Sequence, residues 1–157
     1  PIPAFAILAN NAIKYMQKNH PSIGFNSIII GMDARLNQLY LAGINCSNMF
    51  YNLNPQLINP DDVANILKVN NINVDRHDIV LVGSGFKQYD TQLSELVAHG
   101  LFLDLEYPNA LNMLELIDQD LYLAVDVLEA EILYLRNKVA LNLVEQKSIK
   151  PSIESNR

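Results

Sequence analysis

The short turn Gly83-Ser84-Gly85 has the residue types best suited to chemistry, because it follows the apolar run Ile79-Val80-Leu81-Val82. A strand that ends in a glycine turn can present bare backbone N–H groups to a phosphate. The specific phosphate motifs are incomplete: Lys87 lies too close to the turn for a Walker motif, and Gln88 stands where the dinucleotide fingerprint has its third glycine. The turn is therefore a weak candidate for nucleotide binding, and a structural turn is the simpler interpretation.

Metal binding and nucleophilic catalysis have little support in the sequence. The three histidines are too far apart for a short ligand motif, and one cysteine cannot build a thiolate site; these residues are His20, His77, His99 and Cys46. Ser84 lacks the G-x-S-x-G context of a nucleophile elbow, because Val82 occupies the position of the first glycine. We expect no catalytic residue, no metal and no cofactor.

The acidic residues beside the apolar runs have structural explanations. The segment Asp75-Arg76-His77-Asp78 leads into a strand, where a solvated loop is expected. Asp104 and Glu106 come just before Pro108, and carboxylates in that position commonly cap the following helix. Neither group is a convincing acid–base pair.

The composition is that of an ordinary globular domain. The 157 residues are 50% hydrophobic and 18% charged, with a net charge of −6. Direct binding of RNA or DNA depends on Lys and Arg, so the acidic balance argues against it. The opening PIPAFAILA is too short and lacks the basic flank for a signal or membrane segment, and the single cysteine fits a reducing cytoplasm.

Periodicity in the first half predicts a helix, a hairpin and a further strand. Apolar residues spaced three and four apart indicate a helix over 4–18, which Pro21 ends. Residues 27–35 and 38–45 are apolar and β-branched and predict a hairpin, with a third strand over 48–54. Asn59 and Pro60 are typical of a helix start.

The second half alternates between strand and helix signals. Strands are predicted at 79–82 and 100–106, with a short helical or irregular piece at 93–98 between them. Pro108 should open a helix with the apolar face Leu111, Leu114, Ile117 and Leu121. Residues 121–136 are ambiguous: the first half alternates with period two and favours extended chain, whereas Glu129-Ala130-Glu131 would suit a helix. Residues 147–157 should form a flexible polar tail. The fold class is α/β, a mixed sheet with flanking helices.

Three stretches, IIIGMDARLNQLYLAGI, IVLVGSGFKQY and AEILYLRNKVA, occur in the order and spacing of one known family. They resemble the bacterial TsaB (YeaZ) family, which acts in the synthesis of tRNA threonylcarbamoyladenosine. The likeness covers 1–141 and departs from the family pattern at Gln38 and Ile132. The residues that match the family's signatures, besides Gly83, Ser84 and Gly85, are Asp33, Ala34, Arg35, Tyr40, Pro108, Tyr134, Leu135 and Arg136.

The resemblance implies one lobe of a two-lobed fold similar to actin, Hsp70 and the sugar kinases. Family members begin with an Asp-Thr-Ser-like turn and a glycine-rich segment, and neither occurs in this chain. Residues 1–146 therefore look like the family's C-terminal lobe, with the N-terminal lobe absent. The surface that would meet that lobe should be partly apolar, including part of the helix Phe5–Met16, so self-association is a reasonable expectation.

The resemblance also implies a non-catalytic accessory protein of the cytoplasm, without a cofactor. Its partners would be a TsaD-like paralogue, which modifies the adenosine next to the anticodon, and a TsaE-like ATPase. Two alternatives stay open. One is a degenerate ATPase-like lobe that still binds nucleotide near Gly83–Gly85. The other is a glycoprotease-like peptidase, which the absence of a His-x-x-x-His pair disfavours.

Two structural expectations concern the signature residues. We expect Asp33, Arg35 and Tyr40 to be architectural, since an ion pair and an aromatic side chain on a hairpin can fix its register. We also expect Gly83 or Gly85 to have a positive φ, or to approach another backbone too closely for a side chain.

Overall fold

The fold is built on one mixed five-stranded sheet. The computed structural model describes residues 1–72, 74, 78–118, 122 and 124–136. The strand order is β3-β2-β1-β4-β5. The strands are β1 (Ser27–Asp33), β2 (Leu39–Asn45), β3 (Tyr51–Ile58), β4 (Ile79–Val82) and β5 (Leu101–Phe102). The helices are α1 (Ala4–Asn19), α2 (Val63–Val69), α3 (Gly85–Gln88), α4 (Ser94–His99) and α5 (Ala110–Asp118).

The first three strands form an antiparallel meander, and the last two run parallel to β1. Ser27 pairs with Asn45 and Asp33 with Leu39, so the predicted hairpin is confirmed in full register. On its other side β1 pairs with β4, with Ile30 opposite Val82. The end of β1 and the glycine turn that follows β4 therefore lie side by side.

Alternating side chains of the sheet enter two separate cores. Ile29 and Leu81 point to one face, which α2, α3 and α4 cover with Leu67, Phe86 and Leu96. The opposite face receives Ile28, Ile30, Val80 and Val82, and α1 covers it with Leu8, Ala12 and Met16. The sheet is thus apolar on both sides, as expected where helices cover both faces. The predicted α/β class is confirmed.

Helix α1 is more deeply buried than the sequence suggested. Phe5, Leu8, Ala12 and Met16 are at most 3% exposed, because they pack on the sheet. The neighbouring Ala6 and Ile7 pack instead against Leu116 of α5. The expectation that part of Phe5–Met16 forms an exposed apolar surface therefore holds only for the outer side of the helix, where Tyr15 is 41% exposed. The sheet and α5 enclose the helix on two other sides.

Helix α5 faces the core with a different side from the predicted one. Asn112 and Leu116 are its buried residues, whereas the predicted apolar face is largely in solvent; the exposed fractions are 74% for Leu111, 53% for Leu114 and 49% for Ile117. Leu121 lies outside the described residues. Polar contacts set this orientation: Lys14 of α1 forms an ion pair with Glu115, and the buried Asn10 Nδ2 lies 3.5 Å from the Asn112 carbonyl.

Pro108 stands before α5 rather than inside it. The helix begins at Ala110, and Asn109 Oδ1 caps it by accepting a hydrogen bond of 2.9 Å from the backbone N–H of Asn112. In the same way Pro60 starts a single 3₁₀ turn ahead of α2, and Asn59 makes no side-chain cap there. Both prolines precede an α-helix. The predicted helix starts, at Pro60 and Pro108, therefore lie two or three residues before the observed ones at Val63 and Ala110.

The remaining elements are shorter or shifted. The third strand begins at Tyr51 and continues to Ile58, and the fifth contains only Leu101 and Phe102. Between 124 and 136 the backbone contains one 3₁₀ turn, Val127–Glu129, and no strand. The predicted tail 147–157 and the loop residues 75–77 lie outside the described residues. Within the described part of the chain, no helix has the length and apolar character needed to cross a bilayer.

Candidate functional site

The glycine turn packs directly on the backbone of β1. Gly83 has φ +111°, and a Cβ built on it would lie 2.9 Å from the carbonyl carbon of Gly31. A Cβ on Gly85 would lie 2.9 Å from the Gly31 oxygen. The expectation of a positive φ or a close backbone approach is therefore confirmed for both residues. Glycine at these positions lets β1 and the turn after β4 touch without side chains between them.

Two polar groups of the turn are engaged inside the protein. The Gly83 N–H donates to the Leu105 carbonyl at 2.9 Å, and Ser84 Oγ accepts from the Asp33 N–H at 3.2 Å. Helix α3, which begins at Gly85, has only four residues. Its dipole is correspondingly small, since this field builds up over several turns. The turn therefore ties neighbouring segments together and offers a phosphate little.

A cavity of about 280 Å³ lies beside the turn, and its charges also disfavour a phosphate. It is lined by Asp33, Arg35, Ser84, Lys87, Gln88, Glu106 and Tyr107. Lys87 Nζ lies 2.5 Å from Asp104 and 2.5 Å from Glu106, and these hydrogen bonds raise the pKa of Lys87 to about 12. Both carboxylates bind this lysine. The sequence had suggested instead that they cap α5. An incoming phosphate would have to displace them.

Nucleotide binding can be tested directly. We expect isothermal titration of the chain with ATP or ADP to give no saturable heat, because the one lysine of the cavity is neutralised by two carboxylates. A Lys87→Ala variant should behave identically. Saturable binding that is lost in this variant would show that the turn is a working nucleotide site.

A polar network surrounds Asp33, the last residue of β1, beside the tip of the β1–β2 hairpin. Tyr89 donates its hydroxyl to Asp33 Oδ1 at 2.8 Å, and the Arg35 N–H donates to the same oxygen at 2.9 Å. The Arg35 guanidinium is 3.4 Å from Asp33 Oδ2 but is mostly in solvent. The hairpin tip is strained, since Arg35, Leu36 and Asn37 all have positive φ. The network must therefore hold a backbone conformation that L-residues avoid.

Arg136 closes this network from the far end of the described chain. One guanidinium nitrogen, Nη2, donates to the Ala34 carbonyl at 2.7 Å and to Gln38 Oε1 at 2.9 Å, with the Arg35 carbonyl at 3.3 Å. Arg136 therefore binds both ends of the strained tip. Its Nε is buried without a hydrogen-bond partner. The contact joins residues about a hundred positions apart in the sequence, which local pattern analysis could not reveal.

The other signature residues occupy several different places. Tyr40 and Leu135 are half-buried and pack against the core on the α1 face. Tyr134 is 75% exposed, and Pro108 lies in the exposed connection before α5. The structure therefore brings together Asp33, Ala34, Arg35, Ser84 and Arg136, with Tyr40 nearby on β2, whereas Tyr134 and Pro108 lie at the surface.

Replacing Arg136 by alanine should destabilise the protein more than replacing Arg35. Removing the three Arg136 hydrogen bonds to the hairpin tip should lower the free energy of unfolding by about 2 kcal/mol, because the acceptor oxygens lose a charged donor. Arg35→Ala should cost only about 0–1 kcal/mol, as for other exposed ion pairs. Urea unfolding of the two variants, measured side by side, tests the order. If Arg136→Ala were no less stable than Arg35→Ala, the Arg136 contacts would contribute no more than an exposed ion pair.

Ionisation of Tyr89 should account for part of the stability that the protein loses at alkaline pH. Burial, together with the hydrogen bond to Asp33, raises the pKa of Tyr89. A pKa raised in the folded state means that the stabilisation is complete below the ordinary tyrosine pKa of about 10 and is lost as the pH rises further. Tyr89→Phe should be less stable at neutral pH and should decline less steeply in alkali. If the urea unfolding midpoints of the two proteins fell equally with pH above about 10, the assignment to Tyr89 would be contradicted.

Groups suited to metal or nucleophile chemistry are scattered. Across the residues that the structure describes, no group of three His, Cys, Asp or Glu side chains could hold a metal ion. Burial raises the pKa of the Cys46 thiol to about 12, so it is protonated at neutral pH and a poor nucleophile. Sequence reasoning missed Tyr89, although it lies in the same stretch as the glycine turn; its link to Asp33 spans 56 positions.

Comparison with known proteins gives a fold relationship. No protein-family model and no curated protein matches the chain. Among solved structures it is similar to an uncharacterized protein with similarity to peptidase YEAZ from Pseudomonas aeruginosa, with a TM-score of 0.61 and 19% identity. The fold is YeaZ-like. The match covers 86% of this chain and 57% of that one, so the chain spans little more than half of its neighbour. The YeaZ-like fold agrees with the α/β fold class expected from the sequence.

Proposed function

We propose that this chain is the C-terminal lobe of a YeaZ (TsaB)-type accessory protein. In that role it supports a TsaD-like paralogue in tRNA threonylcarbamoyladenosine synthesis, together with a TsaE-like ATPase, in the cytoplasm. The observation that carries the proposal is the Arg136 contact. Arg136, from the third of the family-like stretches, binds the Ala34 carbonyl and Gln38 in the first. Residues singled out only by resemblance are thus physical neighbours in a YeaZ-like fold.

An accessory role is favoured over the two alternatives by the chemistry of the site. The glycine turn is engaged with Leu105 and Asp33, and Lys87 is neutralised by carboxylates, which disfavours a nucleotide. For a peptidase, the residues described offer a half-buried thiol of high pKa and a serine that accepts a backbone N–H. A protein-supporting function requires none of this machinery.

The lobe assignment rests on the motifs and on the extent of the structural match. The matched neighbour is much longer than the portion this chain covers. We propose that the whole accessory protein contains a further lobe related to this one. The activity of the pair, including binding of the TsaD-like partner, would then depend on both lobes.

A reconstituted modification assay tests the function and the lobe assignment separately. It would contain tRNA, TsaD, TsaE and threonylcarbamoyl-adenylate, with either this chain or the two-lobed protein added. We expect the two-lobed protein to stimulate modification and this chain to give no stimulation. Failure of the two-lobed protein would overturn the proposed function. Full stimulation by this chain would overturn the lobe assignment and leave the function standing.

A further inference from the structure

The net negative charge of the chain is concentrated in residues 100–136. This segment contains eight acidic residues and a single basic one, Arg136, whereas the other residues together are close to neutral. The same part of the chain carries most of the exposed apolar surface. Of the sixteen large hydrophobic side chains exposed among the described residues, eleven lie between Tyr107 and Tyr134. Three of these carboxylates are paired with lysines, Asp104 and Glu106 with Lys87 and Glu115 with Lys14. The others lie in the same stretch of sequence as the exposed apolar side chains.

A cavity gives this surface a concave centre. It has a volume of about 620 Å³ and lies between the start of α1, the β1–β2 hairpin and residues 131–136. Its lining includes Phe5, Met32, Tyr40, Ile132 and Tyr134. Leu135 packs into the core and Arg136 binds the hairpin, so the wall formed by 131–136 is anchored at its end. The cavity is large enough for several apolar side chains of a partner.

Helix α5 packs against the same end of α1 through its buried side. Leu116 packs against Ala6 and Ile7, which directly follow the cavity-lining residues Pro1–Phe5. The outward residues of α5 are Leu111, Leu114 and Ile117. Carboxylates accompany both apolar regions: Asp118 at the end of α5, and Asp126, Glu129 and Glu131 in the segment that leads to the cavity. Glu115 is already paired with Lys14. We call the cavity with residues 124–134 and this face of α5 the acidic apolar surface.

We propose that the acidic apolar surface docks a partner protein through an amphipathic helix whose apolar side chains are flanked by Lys or Arg. Apolar anchors would fill the cavity, and basic flanks would meet the carboxylates, which is the charge complementarity of a specific interface. A second copy of this chain fits less well, because two acidic surfaces repel each other. An anionic membrane is disfavoured for the same reason. The inference does not depend on the role in tRNA modification, but it requires that the further lobe proposed above leaves this surface uncovered.

The probe is a labelled synthetic helix of about 18 residues, or five turns, with leucines on one face and lysines beside them. Fluorescence anisotropy would measure its binding to the full chain. A leucine-to-serine peptide keeps the charge, and a lysine-to-glutamate peptide keeps the apolar face. The protein variant is Ile132→Ser with Tyr134→Ser. Its matched control is Val69→Ser on α2, because Val69 and Ile132 are each 71% exposed.

We expect the leucine–lysine peptide to bind saturably and to weaken at high salt, since screening reduces charge attraction. The double variant should weaken binding about tenfold, as for loss of a central apolar anchor, whereas Val69→Ser should leave it unchanged. Circular dichroism would verify that both variants are folded.

Several results would overturn the proposal. They are absence of binding, equal binding of either comparison peptide, and equal loss in the Val69→Ser control. A dimer of the chain that strengthens with salt and is abolished by the double variant would assign the surface to a second copy instead.

Discussion

Gly83→Ala is expected to destabilise the protein by roughly 3 kcal/mol, through backbone strain and steric conflict together. The new methyl group would collide with the Gly31 carbonyl, and the residue would have to keep a φ of +111°. Neither problem is relieved by a side-chain rotation, because the obstructing atoms belong to the backbone of the central strand β1. A loss of this size should lower the melting temperature by roughly 10 °C.

Gly24→Ala is the matched control for this experiment. A Cβ at Gly24 would meet no atom within 4 Å, and the residue lies in an exposed connection. We expect its melting temperature to stay within a few degrees of the parent protein, because exposed substitutions of this kind change stability by about 0.5 kcal/mol or less. If both variants melted together, the close packing of the turn on β1 would be wrong.

Leu116→Ala should also destabilise the protein strongly, by about 3 kcal/mol, as for other buried leucines. Leu116 is fully buried against Ala6 and Ile7, so its loss would leave a cavity between α1 and α5. Leu111→Ala removes the same atoms from the same helix, but Leu111 is 74% exposed. We expect that change to cost less than about 0.5 kcal/mol.

The pair of leucine variants decides which side of α5 faces the protein. Chemical unfolding of both, at one protein concentration, gives the two free energies on the same scale. The periodicity of the sequence alone predicts that Leu111 is the more costly site, and the structure predicts Leu116. A greater loss for Leu111→Ala would mean that α5 packs through Leu111, Leu114 and Ile117 after all.

The sheet and its covering helices could be predicted from the sequence because their signals are local. Consecutive residues of β1, β2 and β4 are apolar, and neighbouring side chains enter opposite cores. This is the pattern expected of strands that are covered on both faces. Helix α1 has the spacing of a buried helix and ends where Pro21 requires. Even the geometry of Gly83 followed from residue type, since a glycine between a strand and a helix usually has a backbone reason.

The contacts of the candidate site could not be predicted, because they join distant segments. Asp104 and Glu106 shortly precede a helix in the sequence, yet both form ion pairs with Lys87, from which α4 and β5 separate them along the chain. Tyr89 and Arg136 reach the β1–β2 hairpin only once the sheet has formed. For α5, tertiary contacts decide which side is buried, and the local apolar pattern does not. The Lys14–Glu115 ion pair and the burial of Leu116 orient the helix.

The two outer strands of the sheet have a consequence for aggregation. Strand β3 carries Pro55 in its middle, and the pairing of β2 with β3 is irregular around Gly43. Strand β5, at the other margin, has two residues. Proline, bulges and short length are the features that prevent unpaired backbone groups from recruiting another chain. Copies of this protein that meet in solution should therefore associate through side-chain surfaces, and continuous cross-chain sheets of the amyloid kind are disfavoured.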